Sequence, residues 1–189
     1  MTEIIENKKR FLAVCEATAS LIASEGCWHW WYRGMAKTWE GAKKNKKTSC
    51  AHFVSMCMQR AGYMPEGCTV YCRNDGRLIY QGVPKKARQA VFEHFLYIPC
   101  DLPLKKCKIM PGDILGIYDG KMQHMTVFRG YDENGETTWY DMGSDGTSDN
   151  SKKPAWLSTR TAGVFDRVVK TGGNDWGKVS FILRLKEEK

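Results

Sequence analysis

The strongest constraint on this chain is a change of hydrophobic period near Pro111. Before it, apolar residues recur three and four positions apart, the repeat of a helix with one buried stripe. After it they alternate, the repeat of a strand with one buried face. Turn residues separate the alternating runs, at Asp119-Gly120 and again within Asp132, Glu133, Asn134 and Gly135. Helices followed by antiparallel strands predict an α+β fold, with N-terminal helices packed on an antiparallel sheet. A length of 189 residues, 42% of them hydrophobic, suits one domain over 1–189. Its helical part spans about 1–98 and its sheet part about 107–189.

In the helical part, residues 7–25 place Phe11, Cys15, Ala19 and Ile22 on one face, and Gly26 stops the run. CWHWWYRG at 27–34 is an aromatic cluster of the kind that fills cores, with His29 read as a hydrogen-bonded, partly buried histidine. GAKKNKK at 41–47 reads as a solvated, lysine-rich loop. Residues 47–63 form a short helix, 65–84 a loop with one strand at 77–80, and 84–96 a second helix. That helix puts Val91, Phe92, Phe95 and Leu96 inward and His94 at the surface. The strands are 113–118, 121–129, 136–142, 164–170 and 178–186, with a long loop at 143–161.

Chemistry concentrates at the start of the 47–63 helix. Thr48 and Ser49 are cap-type residues and Cys50 follows them, so the cysteine occupies the first turn. The positive end of a helix favours a thiolate, which is the nucleophilic form, and the N–H groups there can hold an oxyanion. The neighbouring lysines would favour the thiolate further. A nucleophile needs a base and the base an orienting partner. His124 begins one strand of the central hairpin and Asp141 lies near the end of its mate. An even connection puts both on one face, and a four-residue turn at 132–135 sets Thr126 opposite Asp141, with His124 on the diagonal. An odd connection puts them on opposite faces. His52 is two residues from Cys50 on a helix and faces elsewhere.

The order of these motifs resembles the papain-like cysteine peptidases of the NlpC type and the related CHAP amidohydrolases. The matching pieces are SCAHFVS with its helix-initial cysteine, PGDI opening a strand at Pro111, and HMTVF with its strand-initial histidine. They cover about residues 28–142. The resemblance implies a papain-like fold with Cys50 as nucleophile, His124 as base and Asp141 as the orienting residue. Tyr32 matches a tyrosine that precedes the nucleophile in that family. Ser49 stands where the family carries Asp, Ala51-His52 where it carries Ser-Gly, and Met125-Thr126 where it carries Val-Gly or Val-Ala.

The function implied is cleavage of amide bonds in peptidoglycan stem peptides, as endopeptidase or amidase, through a thioester and with no metal or cofactor. A net charge of +8 suits anionic cell-wall polymers met through the lysine-rich surface. No finger, helix-turn-helix or RNA-binding signature accompanies it, so nucleic acid is not the expected partner. No signal peptide or membrane span is visible, and the expectation is synthesis in the cytoplasm, with release at lysis or carriage on a phage particle as a lysin. The eight cysteines are then expected as thiols. The alternatives are an intracellular papain-like hydrolase or acyltransferase on another substrate, and a non-catalytic binding module. Zinc held by such pairs as Cys68–Cys72 or Cys100–Cys107, with His94 nearby, belongs to that last reading.

Overall fold

A computed structural model describes residues 2–25, 28–29, 38–118, 123–131, 133, 135, 137–142, 156–158 and 178–186. Within them the chain is mixed helix and antiparallel sheet. The helices are α1 (Thr2–Ser24), α2 (Trp39–Asn45), α3 (Cys50–Arg60) and α4 (Pro84–His94), with a 3-10 turn at Leu104–Lys106. The strands are β1 (Trp28–His29), β2 (Lys47–Thr48), β3 (Thr69–Cys72), β4 (Leu78–Gln81), β5 (Phe95–Pro103), β6 (Ile114–Tyr118), β7 (Gln123–Tyr131), β8 (Thr137–Asp141), β9 (Trp156–Ser158) and β10 (Lys178–Leu185). Six of them form one sheet in the order β5-β10-β6-β7-β8-β9, with β3-β4 a separate hairpin and β1-β2 a short parallel pair. No helix among the described residues is long and apolar enough to cross a membrane.

The expected stripe of α1 is buried: Phe11, Cys15, Ala19 and Ile22 are fully enclosed. They meet Phe53, Val54, Cys57 and Met58 of α3 over one face of the sheet, formed by Ile114, Met125, Val127, Tyr140, Phe181 and Leu183. The opposite face carries a smaller core of Leu115, Ile117, Phe128, Trp139, Val179 and Ile182, covered in part by Leu104. β6, β7, β8 and β10 therefore divide their side chains between two cores, as their alternation requires.

Several expectations are corrected. Residues 41–47 are not a loop: Thr38 caps Gly41 N–H at 3.2 Å, and α2 runs to Asn45 before Lys46 takes the left-handed conformation (φ 53°). The second helix ends at His94, and the chain continues directly as β5, so the sheet reaches back into the part read as helical. Val91 and Phe95 are buried as expected, while Phe92 and Leu96 face solvent. β5 accepts Pro99 and Pro103 because it is an edge strand, where a missing N–H breaks no second ladder. β10 inserts between β5 and β6, and β9 occupies part of the expected 143–161 loop. The expected strand at 164–170 and the aromatic cluster beyond His29 lie outside the described residues.

The Pro111–Asp113 turn joins the sheet's parts. The Asp113 carboxylate is nearly inaccessible and accepts two hydrogen bonds from Arg184, from Nε at 2.9 Å and Nη2 at 2.7 Å. It also accepts Met110 N–H at 2.8 Å, and Arg184 donates to the Lys108 carbonyl at 2.8 Å. Asp113 holds the Arg184 guanidinium above its ordinary pKa. On the backbone, Gly112 N–H donates to Phe128 and Phe128 N–H donates to Asp113, each at 2.8 Å. One turn is thus fastened to β7 and β10 at once. Removing one partner from such a pair strands a buried charge. Arg184→Leu is expected to lower the unfolding free energy by about 3 kcal/mol, read from urea denaturation. Gly116 supplies a second test. A Cβ there would lie 2.1 Å from the Phe181 ring, so Gly116→Ala should cost about 1–3 kcal/mol, where an open strand position would cost nothing.

Candidate functional site

Cys50 is the first residue of α3. Ser49 precedes it in extended conformation (φ −129°, ψ 169°), and its Oγ accepts His52 N–H at 3.1 Å. The first helical rung, Phe53 N–H to Ser49 carbonyl, follows at 2.8 Å. The N–H groups of Cys50 and Ala51 precede both bonds and point out of the positive end of the helix. Gly62 (φ 80°) closes the far end in the left-handed conformation. Cys50 is half-buried, whereas Cys15, Cys57, Cys68 and Cys72 are fully buried.

His52 has a task the sequence reading missed. Its buried ring meets Thr48 Oγ1 through Nδ1 at 2.8 Å. Together with the Ser49 bond, this ties both residues ahead of Cys50 to the first turn. A threonine four residues before a histidine, across a cap, was the available signal. The β1-β2 pairing places His29 beside Thr48, so the start of the aromatic segment runs next to the approach to Cys50. Of the lysine run, Lys43 and Lys46 form ion pairs with Glu25 at 3.3 and 3.2 Å. Hydrogen bonding from Lys46 leads in lowering the Glu25 pKa. Part of the charge expected to assist the thiolate is therefore answered locally.

The β3-β4 hairpin sits against α3. Ser55 Oγ accepts Val70 N–H at 3.0 Å, and Gln59 Nε2 donates to the Cys68 carbonyl at 2.6 Å. This brings Cys72 close to Cys50. Burial, then the charge of Cys50, then that of Asp75, push the Cys72 thiol up to about 12. Cys72 Sγ also donates to the Ile117 carbonyl at 3.5 Å, and Ile117 is the register partner of His124. The start of α3 and the start of β7 accordingly lie at the same end of the sheet.

The register relating His124 to Asp141 arises by a route the sequence did not predict. The connection between β7 and β8 is odd, because Tyr131 pairs with Thr137. A bulge at Arg129 then shifts the ladder by one, so Val127 pairs with Tyr140. One step further sets Thr126 opposite Asp141 and His124 on the diagonal, the same pairing that an even turn would produce. His124 and Asp141 therefore share one register face. That face is shared with Ile117 and Trp139, whereas α3 packs on Met125, Val127 and Tyr140. The last pair of the β7-β8 ladder, Val127 with Tyr140, lies one residue from Asp141 and three from His124. The structure brings Cys50 to their end of the sheet, but from the helix side. His124 is half-buried and its Nε2 is closed off from solvent.

No three His, Cys, Asp or Glu side chains gather as metal ligands among the described residues. The seven described cysteines are thiols. Comparison with protein-family models, with curated proteins and with solved structures finds no match for this chain.

The Cys72 thiol has a measurable consequence. In the fold it stays neutral up to about 12, whereas in the unfolded chain it ionises at its ordinary 9.0. Its contribution to stability is intact below pH 9.0 and is lost as pH rises toward 12. Urea midpoints taken from neutral to alkaline pH should fall above that point. In Cys72→Ala the fall should be shallower, by up to about 1.4 kcal/mol per pH unit.

Proposed function

We propose that the chain is a papain-like thiol hydrolase cleaving amide bonds, with peptidoglycan stem peptides as the substrate class. The observation that carries this reading is a half-buried cysteine at the capped start of α3, beside the end of the strand that bears His124. In the reaction, the Cys50 thiolate attacks the carbonyl carbon of the scissile amide. The N–H groups at the start of α3 receive the oxyanion. His124 then gives a proton to the departing amine, leaving a thioester on Cys50. Water, deprotonated by His124, releases the acid and restores the thiol. Asp141 orients the imidazole from the neighbouring strand. For this chemistry the imidazole of His124, one residue in from the start of β7, meets the thiol around the end of the sheet, where the β6-β7 pairing finishes at Tyr118 and Gln123.

The pleat favours a second reading. The register groups His124 with Ile117 rather than with Met125 and Val127, and on this reading the protein is a non-catalytic binding module. One experiment separates the two. Iodoacetamide labelling at neutral pH, resolved by peptide mass spectrometry, should modify Cys50 at least about tenfold faster than the other thiols, and His124→Ala should reduce that preference. Release of soluble fragments from purified cell walls should vanish in Cys50→Ala. Equal labelling of Cys50 and the remaining thiols, with no fragment release, would leave the binding module.

A further inference from the structure

A second pair of thiols takes no part in this chemistry. Cys100 lies on β5 and Cys107 just past the Leu104–Lys106 turn, with their sulfurs 3.6 Å apart. Both are half-buried, so a small molecule can reach them. Two local features bring them together. Leu102 pairs with Val179 but Pro99 pairs with Phe181, so Cys100 and Asp101 together oppose Ser180 alone. Such a bulge re-aims a side chain on an edge strand. The return is set by Cys107 N–H donating to the Leu104 carbonyl at 2.9 Å, with Leu104 itself anchored in the smaller core. Cys107 Sγ also lies 3.5 Å from the Pro103 carbonyl and 3.7 Å from that of Leu102. No third metal-type ligand joins them among the described residues. Lys106 and Lys108 flank Cys107 in the chain and favour an anionic reactant.

We propose that Cys100 and Cys107 are a redox site, forming a reversible intrachain disulfide by exchange with a low-molecular-weight disulfide of the glutathione class. Burial, followed by the hydrogen bond and charge of Cys100, pushes the Cys107 thiol up, so Cys107 is the slower nucleophile. Cys100 enters first. Its thiolate attacks one sulfur of the small disulfide, whose S–S bond breaks, and one small thiol leaves and takes up a proton. Cys107 then loses its proton and attacks the Cys100 sulfur, expelling the second small thiol. Two protein thiols are oxidised and one small disulfide is reduced to two thiols. The product ties the outer edge of the sheet to the turn that covers its smaller core. Because closure needs the Cys107 thiolate, its rate should rise about tenfold per pH unit near neutrality.

The test uses the 189-residue chain carrying Cys50→Ala, so that the result is independent of the proposed nucleophile. It is equilibrated in buffers of increasing oxidised glutathione, quenched by alkylation and mapped by mass spectrometry. The Cys100–Cys107 disulfide should exceed any other by at least about tenfold and reverse with dithiothreitol. Adding Cys107→Ser should trap glutathione on Cys100. If both thiols remain alkylatable while others oxidise, or if a different pair forms first, the redox site is refuted. If glutathione lodges on Cys107 in Cys100→Ser but not on Cys100 in Cys107→Ser, the order of attack is refuted.

Discussion

A carboxylate enclosed by protein must be answered by a positive charge and by donors, or it destabilises the fold that encloses it. Asp113 meets that condition with Arg184 and Met110 N–H, and the geometry has reach because the partners come from distant parts of the chain. Arg184 belongs to β10, the last described strand, which sits between β5 and β6. The pair therefore fixes how β10 enters the sheet beside β6, although Arg184 and Asp113 lie 71 residues apart in the chain. β6 leaves this turn directly, and β7 is held to it through Phe128. His124 and Asp141 take their positions from strands aligned in this way.

The helical stripe of α1, the capped start of α3 at Ser49 and the glycine that ends it were all readable, because each depends on neighbours within one or two turns. The central hairpin was readable in kind. Its register was not, since a bulge at Arg129 is decided by pairing across strands and leaves little local trace. β5 was hidden by its prolines, which argue against a strand unless its place at an edge is known. The entry of β10 between β5 and β6 is a topological fact with no signature in the spacing of residues. At the site, Cys50 and its cap were legible, and so was the strand placement of His124 and Asp141. The pleat that sets His124 on the face away from α3 depends on which face the helices choose, and neither strand states this alone.

Cysteines illustrate how place changes one side chain's meaning. Cys15 and Cys57 meet between α1 and α3, where burial foremost raises the Cys15 thiol and makes it a packing residue. Cys72 is equally silent, closed in beside Ile117. Cys50 begins a helix with partial access to solvent, and Cys100 and Cys107 share a surface corner. The spacing of cysteines in the chain sorts none of these roles, while depth and neighbours sort them all.

The odd β7-β8 connection and the bulge at Arg129 are two length irregularities that cancel. Neither can drift alone. Deleting one turn residue while keeping the bulge would slip β8 by one position, moving Trp139 out of the smaller core and Tyr140 away from α3. Deleting Arg129 while keeping the turn does the same from the other side. Losing both restores the ladder. Natural variation in this hairpin is thus coupled: a shorter turn should travel with a flat β7, and chains with only one change should be rare among those that fold.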